Sequence, residues 1–550
     1  LTSGGAGGQA VPTSADDVFF DAASGAGTVT LATTPSCKSL TFTGFAGTFA
    51  GSQSCNVYGS VTLSTGMTFT YTGQFFFLAT GTLTSFGKTI GGVQVAVAGI
   101  TLDLGDALTS SGAITLTAGT FTTNNFNVTA TQLSSSNSNT RTINLGSSTV
   151  TLSGVTALLF TTTNLTFNAG TSSIICTNTT SAQVIFGASG SPEPATLYNL
   201  SYTATTSVTH NLRGVLTINN LAVTGPASAG VVQLGIEGSQ TINGTLSTTG
   251  TAGNRRVWFR SQTYGLAQTL TINSAPSLTN ADFRDIYVIG TAAPISGTRI
   301  GDLRGIRGIT ASTPKTVYWN LAGAQNWSAN GWSDTSTGTP NTDFFPLAQD
   351  TATFTNAGSV TGTITMNAAV PYTGTVDMSG RTSAMTLSAG TAYTIYGNWT
   401  NGSGTTLVGG VNFNFSGRNT QVITSAGKLF GNIGPIIDSY GGTVELADAF
   451  NSGSGITVSN GIFDTKNYNL TLPSFDSSFS GVRTIKFGSS VITLNGPTGA
   501  GFGTSTNLTF DAGTSQITFT ASGATTLAGG GLTFYNVSFT STSAITHIIT

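Results

Sequence analysis

Charge is what this chain has least of. Lys, Arg, Asp and Glu together fill 7% of its 550 positions, where an ordinary soluble domain carries roughly 25%. A net charge of −2 gives no electrostatic footprint for nucleic acid or for an anionic membrane surface. No run reaches the ~18 consecutive apolar residues of a membrane helix, so no membrane insertion is expected. No charged-then-apolar leader opens the chain, so no signal peptide is in view. Helical 3.6-residue periodicity is missing throughout. Cys37, Cys55 and Cys176 are the only cysteines; they match no zinc spacing and cannot all pair. Cys37 and Cys55 lie about one coil of a β-solenoid apart, which leaves a disulfide open, with small buried thiols the favoured reading. No glycine loop sits between a strand and a helix to hold a phosphate. No cofactor, metal or catalytic residue is expected from these absences.

Glycine, phenylalanine and hydroxyl residues are abundant instead, with 72 Gly and 33 Phe. Segments such as "SVTLSTGMTFTYTG" (60–73) and "GAITLTAGTFTTNNFNVTAT" (112–131) alternate apolar with hydroxyl side chains and then break at Gly or Asn. That is strand chemistry with turn punctuation, and the chain reads as all-β.

The same sequence is written twice. "RTINLGSSTVTLSG" (141–154) returns as "RTIKFGSSVITLNG" (483–496), 342 positions later. "NLTFNAGTSSI" (164–174) returns as "NLTFDAGTSQI" (507–517), and "LYNLSYTATTSVTHNL" (197–212) as "FYNVSFTSTSAITHII" (534–549). "VPTSADDVFF" (11–20) resembles "FPLAQDTATF" (345–354), which follows an aromatic box, "VYWNLAGAQNWSANGWSD" (317–334). The displacement defines tandem units of about 340 residues, a first unit over 1–316 and a second over 317–550, and predicts a window of about 1.6 units from a longer array. Short strands spaced near twenty residues predict a parallel β-solenoid (β-helix). A string of antiparallel β-sandwich domains is the alternative, since both folds need period-two alternation. Sixteen or so coils, one strand spacing of roughly 4.8 Å each, predict a unit on the order of 80 Å long.

Few groups could carry chemistry. Asp103 and Asp106, repeated as Glu445 and Asp448, have the spacing of a strand-end turn; either this pair or the pair Asp282 and Asp285 would be the carboxylates of a glycan depolymerase. His210 and His547 occupy the same place in both copies without a neighbouring nucleophile, and read as inward or laddered side chains. Asn164, Asn199, Asn398 and Asn507 begin Asn-x-Ser/Thr sequons of the kind threonine-rich sequences contain by chance. Arg255, Arg256, Arg260, Arg284, Arg299, Arg304 and Arg307 are seven of the twelve arginines, packed into 53 residues with Asp282, Asp285 and Asp302. This island reads as a salt-bridged junction between units, or as a docking patch for anionic glycans or a partner. Trp319, Trp327 and Trp332 of the aromatic box read as a small core that starts a unit, closed by Asp350 and Phe354, with sugar stacking as the alternative.

The box, the "DFRDI" segment (282–286) and strands such as "NVYGSVTL" (56–63) and "TIYGNWT" (394–400) resemble long repetitive virion proteins of tailed, notably marine, bacteriophages. A looser similarity reaches bacterial autotransporter passengers. The resemblance implies a non-enzymatic fibre or adhesin on a virion surface or outside the cell. Its expected partners are neighbouring copies, other virion or appendage proteins and cell-surface glycans. A bacterial surface adhesin and a tailspike-like depolymerase are the alternative functions.

Overall fold

The computed structural model describes residues 10–502, 505–540 and 546–550. Among them, strands pair in parallel almost everywhere; the exceptions are Ser191–Pro192 on Gln183–Ala188 and Trp332–Ser333 on Thr316–Trp319. The fold is a parallel β-solenoid of about 24 turns, not a string of sandwiches.

In the first stack the early coils are three-sided. One face runs through eight strands from Val18–Asp21 to Leu165–Asn168, and a second begins with Thr28–Leu31. The third runs in chain order through thirteen strands from Ser36–Cys37 to Gly301–Asp302. Alternation puts one side chain in two inward, and coil pairing then stacks like on like. Phe75, Val93, Ile114, Leu133, Leu158, Val184 and Leu212 form one such column down the third face, each in register with the next. Every member is fully buried, and each contributes about 1.5–3 kcal/mol by leaving water. After Leu165–Asn168 the first face ends, and the long strands Pro194–Tyr202 and Val215–Val223 carry the later coils as two-sided turns.

The corners explain the repeated sequence. Asn124 and Asn125 are both left-handed (φ 51° and 67°), as are Lys466 and Asn467 in the second copy (φ 54° and 68°). The Asn125 side chain accepts from Ser147 N at 2.9 Å, and Asn467 accepts from Ser489 N at 2.9 Å. Gly146 and Gly488 lie against these amides, where a Cβ would come within 2.2 Å of the Asn oxygen. The "GSS" of each motif is therefore the part of the corner that receives the asparagine of the preceding coil. Asn164 and Asn507 turn a further corner alike (φ 56° in both), donating to Ser138 O at 2.8 Å and Ser480 O at 2.9 Å.

The cysteines are the small buried thiols of the favoured reading, and the coil count changes. Cys37 pairs with Val57, not Cys55, because a coil here is two residues longer than the cysteine spacing. All three cysteines are free and buried; burial raises Cys176 to about 12, while the hydrogen bond with the Cys37 thiol, with burial added, holds Cys55 above the ordinary thiol range. The first stack also has thirteen coils rather than sixteen, since coils lengthen along the chain: Ile174 pairs with Leu200, 26 positions on. At roughly 4.8 Å per coil its length is about 60 Å.

The second stack begins at Thr316–Trp319 and does not extend the axis of the first. Its corner residues Tyr396, Arg418 and Tyr440, one coil apart, meet Arg304, Asp285 and Tyr264 of successive first-stack coils taken in reverse order. The chain folds back, and the two stacks lie side by side with opposite directions along this seam.

Candidate functional site

The arginine island lies where the last coils of the first stack face the second. Strands Arg255–Ser261, Ala281–Arg284 and Gly301–Asp302 sit one above another on the third face. Arg256 donates to both oxygens of Asp282, at 2.8 and 2.5 Å, and to Arg299 O at 2.8 Å. Both side chains are fully buried. The Tyr372 hydroxyl, from the second stack, donates to the same carboxylate. Desolvation beside that anion raises the Tyr372 pKa well above the ordinary tyrosine value. This pair is a closed, satisfied unit, with no face left for a ligand.

Its neighbours are engaged in the same way. Arg284 lies over the Trp258 ring at 4.7 Å and the Tyr264 ring at 4.6 Å. Asp285, left-handed at φ 54°, accepts from Gly265 N at 3.0 Å and from the Arg418 guanidinium across the seam. Arg299 reaches Asp343 at 2.6 Å, and Arg304 holds Asp302 at 3.3 Å while donating to Tyr396 O at 3.0 Å. Arg260 donates to Gln233 at 2.9 Å, and Arg255 to Thr251 at 2.9 Å. Arg307 is exposed. The structure thus gathers five of the seven arginines (Arg256, Arg284, Arg299, Arg304 and, beside them, Arg260) at or near the seam.

The tryptophan box closes the start of the second stack. Trp319, Trp327 and Trp332 are essentially unexposed. Their rings surround Phe354, at 6.1, 5.8 and 5.6 Å. Thr316–Trp319 pairs with Thr351–Thr353 below it and with Trp332–Ser333 beside it. No indole face is left for a sugar.

The carboxylates proposed from sequence are apart in role. Asp106 accepts from Ser85 N at 2.7 Å and Phe86 N at 2.5 Å. Asp448 does the same for Ser425 N at 2.7 Å and Ala426 N at 2.6 Å. Each holds a turn of the preceding coil. Asp103 stands in an outward row between Thr82 and Thr122, and Glu445 lies 3.8 Å from Lys466. His210 is buried, accepts at Nδ1 from Ala182 N at 2.9 Å and stacks on Tyr202 at 4.8 Å. His547 is only partly buried, with Nδ1 2.8 Å from Thr525 Oγ1 and its ring 4.5 Å from that of Phe539.

Two features escaped the sequence reading. Arg141 and Arg483, the first residues of the repeated motif, are buried inside the coils. Arg141 donates to four carbonyls, those of Asn139, Ser135, Thr161 and Thr163. Arg483 donates to those of Ser477, Gly481 and Thr506. The signal was parity: Arg141 stands two before the inward Ile143 and so shares its side. The second feature is a groove of about 290 Å3 beside the seam, lined by Thr180, Ser207, Thr209, Gln233 and Pro371 among others; no carboxylate or aromatic ring lines it. Among the described residues no group of three or more His, Cys, Asp or Glu side chains could hold a metal ion. No protein-family model, curated protein or solved structure is significantly similar to this chain.

Proposed function

We propose that the chain is a structural repeat of an extracellular appendage, of the kind found in bacteriophage fibres, whose work is reach and contact with host-surface glycans. The observation that carries this reading is the use made of its few charged groups. Asp106, Asp448, Asp282, Asp285, Arg141, Arg256 and Arg483 all hold coils or stacks together. Dense parallel pairing with satisfied corners makes a stiff, protease-resistant body, which suits a part that must project without unfolding. A depolymerase would need two free carboxylates roughly 5–10 Å apart across a cleft; Asp282 and Asp285 are committed to arginines, and the seam groove carries no carboxylate.

Electron microscopy of the native particle or cell carrying the full-length protein tests the reading. The expected image is an appendage of paired rods about 60 Å long with a rung spacing near 4.8 Å. Release of oligosaccharides from a host-surface polysaccharide by the purified protein, or a protein found free and unattached to any particle or cell surface, would overturn it.

A further inference from the structure

The ion pairs and the tryptophan box leave one groove open beside the seam. It is about 290 Å3 in volume and lies between the third face of the first stack and residues 368–371, the turn between two strands of the second. Thr209 and Gln233 stand side by side on adjacent coils, in register. Trp258 follows Gln233 in the same row, and its ring packs on Tyr372 at 5.5 Å. The row is therefore covered beyond Gln233 and open before it. No residue that lines the groove is charged.

The polar atoms of the groove have a fixed sense. Gln233 Oε1 accepts from Arg260 Nε at 2.9 Å. A guanidinium only donates, so the amide oxygen belongs to Arg260 and the Nε2 donors are left for the groove. Ser207 Oγ accepts from Val231 N at 3.2 Å, which leaves its hydroxyl proton to give. Thr209 adds a second hydroxyl. Beside these donors lies an apolar shelf of Val231, Ala368, Ala369 and Pro371. A ligand that fits offers an acceptor oxygen next to a methyl group. It is also neutral, since no cation in the lining meets a carboxylate or sulfate. At about 290 Å3 the groove is at the small end of ligand sites and takes one ring rather than a long chain.

We propose that this groove is a subsite for an N-acetylated amino sugar of a neutral surface glycan. The acetamido carbonyl accepts from Gln233 Nε2, its methyl lies on the shelf of Val231 and Pro371, and ring hydroxyls meet Ser207 and Thr209. A plain hexose lacks the methyl, and a uronic acid brings a charge with no partner. Neither stack makes the groove alone, so the fold-back assembles it. The inference rests on the appendage reading for its choice of a sugar over a peptide; the donors and the shelf do not depend on that reading.

The test is made on the full chain with its Val and Ala methyl groups isotope-labelled, and the probe is N,N′-diacetylchitobiose. Saturable shifts of the Val231 and Ala369 methyl signals are expected. Cellobiose and N-acetylalanine methylamide are expected to bind at least tenfold more weakly. Gln233→Glu keeps an oxygen on Arg260 but turns the donor into an acceptor, and is expected to weaken the sugar at least tenfold. Ala368→Trp, on the exposed wall from the second stack, is expected to abolish binding. Thermal melts establish that both variants fold; where one does not, the comparison of probes on the unaltered chain decides. Absence of any shift up to about 50 mM sugar overturns the proposal and leaves the appendage reading, which microscopy tests, in place. Equal binding of cellobiose, or binding that Gln233→Glu leaves unchanged, also overturns it. Tighter binding of the methylamide than of the sugar makes the occupant a peptide, and the proposal fails.

Discussion

Arg256 and Asp282 form a fully buried, two-pronged ion pair whose third partner, the Tyr372 hydroxyl, comes from the other stack. Both charges have left water, so their value lies in being complete. Arg256→Met strands the carboxylate and is expected to cost about 3–5 kcal/mol. Arg256→Met with Asp282→Leu removes both charges and is expected to recover at least half of that loss. Urea unfolding of the two variants measures it. A single variant within about 0.5 kcal/mol of the parent would show that the seam does not rely on this pair.

His210 predicts an acid response. Burial lowers its pKa to about 4 from the ordinary 6.5. Between those values the unfolded chain takes up a proton that the folded chain does not. The contribution of a neutral His210 is therefore complete above pH 6.5, declines as pH falls, and is gone near pH 4. The span is roughly 3 kcal/mol. His210→Leu is expected to lower stability at neutral pH, because Ala182 N loses its acceptor, and to flatten the pH dependence in this window. Parallel slopes for parent and variant between pH 6.5 and 4 would exclude His210 as the source.

Asp106 and Asp448 make the same two hydrogen bonds in the two copies. Replacing either by Ala leaves two turn amides without their acceptor, and about 1–2 kcal/mol is the expected loss at each site. Asp103→Ala, on the outward row, is expected to stay within about 0.5 kcal/mol. Thermal melts of the three variants decide it: a loss at Asp103 as large as at Asp106 would mean that position matters for something other than the turn.

What could be read in advance follows from which contacts are local. Strand alternation and the Asn/Gly corners repeat within one coil, so the solenoid and its 342-residue copy of "RTI-GSS" were legible. The buried Trp319, Trp327 and Trp332 were legible too, because box and strand are adjacent in sequence. The fold-back was not: Arg418 meets Asp285 across 133 positions, and Tyr264 meets Asp438 across 174. Period two also cannot tell a three-sided coil from a two-sided one, so the change after Leu165–Asn168 left no mark in the alternation. Arg141 was passed over because an arginine in a strand is taken as outward unless its parity is checked against Ile143.

Arg141 has five N–H donors in a rigid plane, and four backbone carbonyls converge on them where two coils turn. Burial lowers its pKa, yet a guanidinium keeps its proton in such a site. Arg141→Met removes all of these donors at once and leaves four carbonyls without their partner. The expected cost is about 2–4 kcal/mol, with exchange of the Thr156–Phe160 and Arg141–Asn144 amides speeding first. Arg141→Lys keeps the charge but offers a compact ammonium with three donors, and is expected to recover less than half. Arg483→Met should behave alike in the second stack, since its guanidinium meets the carbonyls of Ser477, Gly481 and Thr506. Full rescue by lysine would show that charge alone suffices. Failure of lysine at Arg141, with the loss in Arg483→Met, would show why the fourteen-residue motif begins with arginine each time: the corner needs a flat, many-pronged donor.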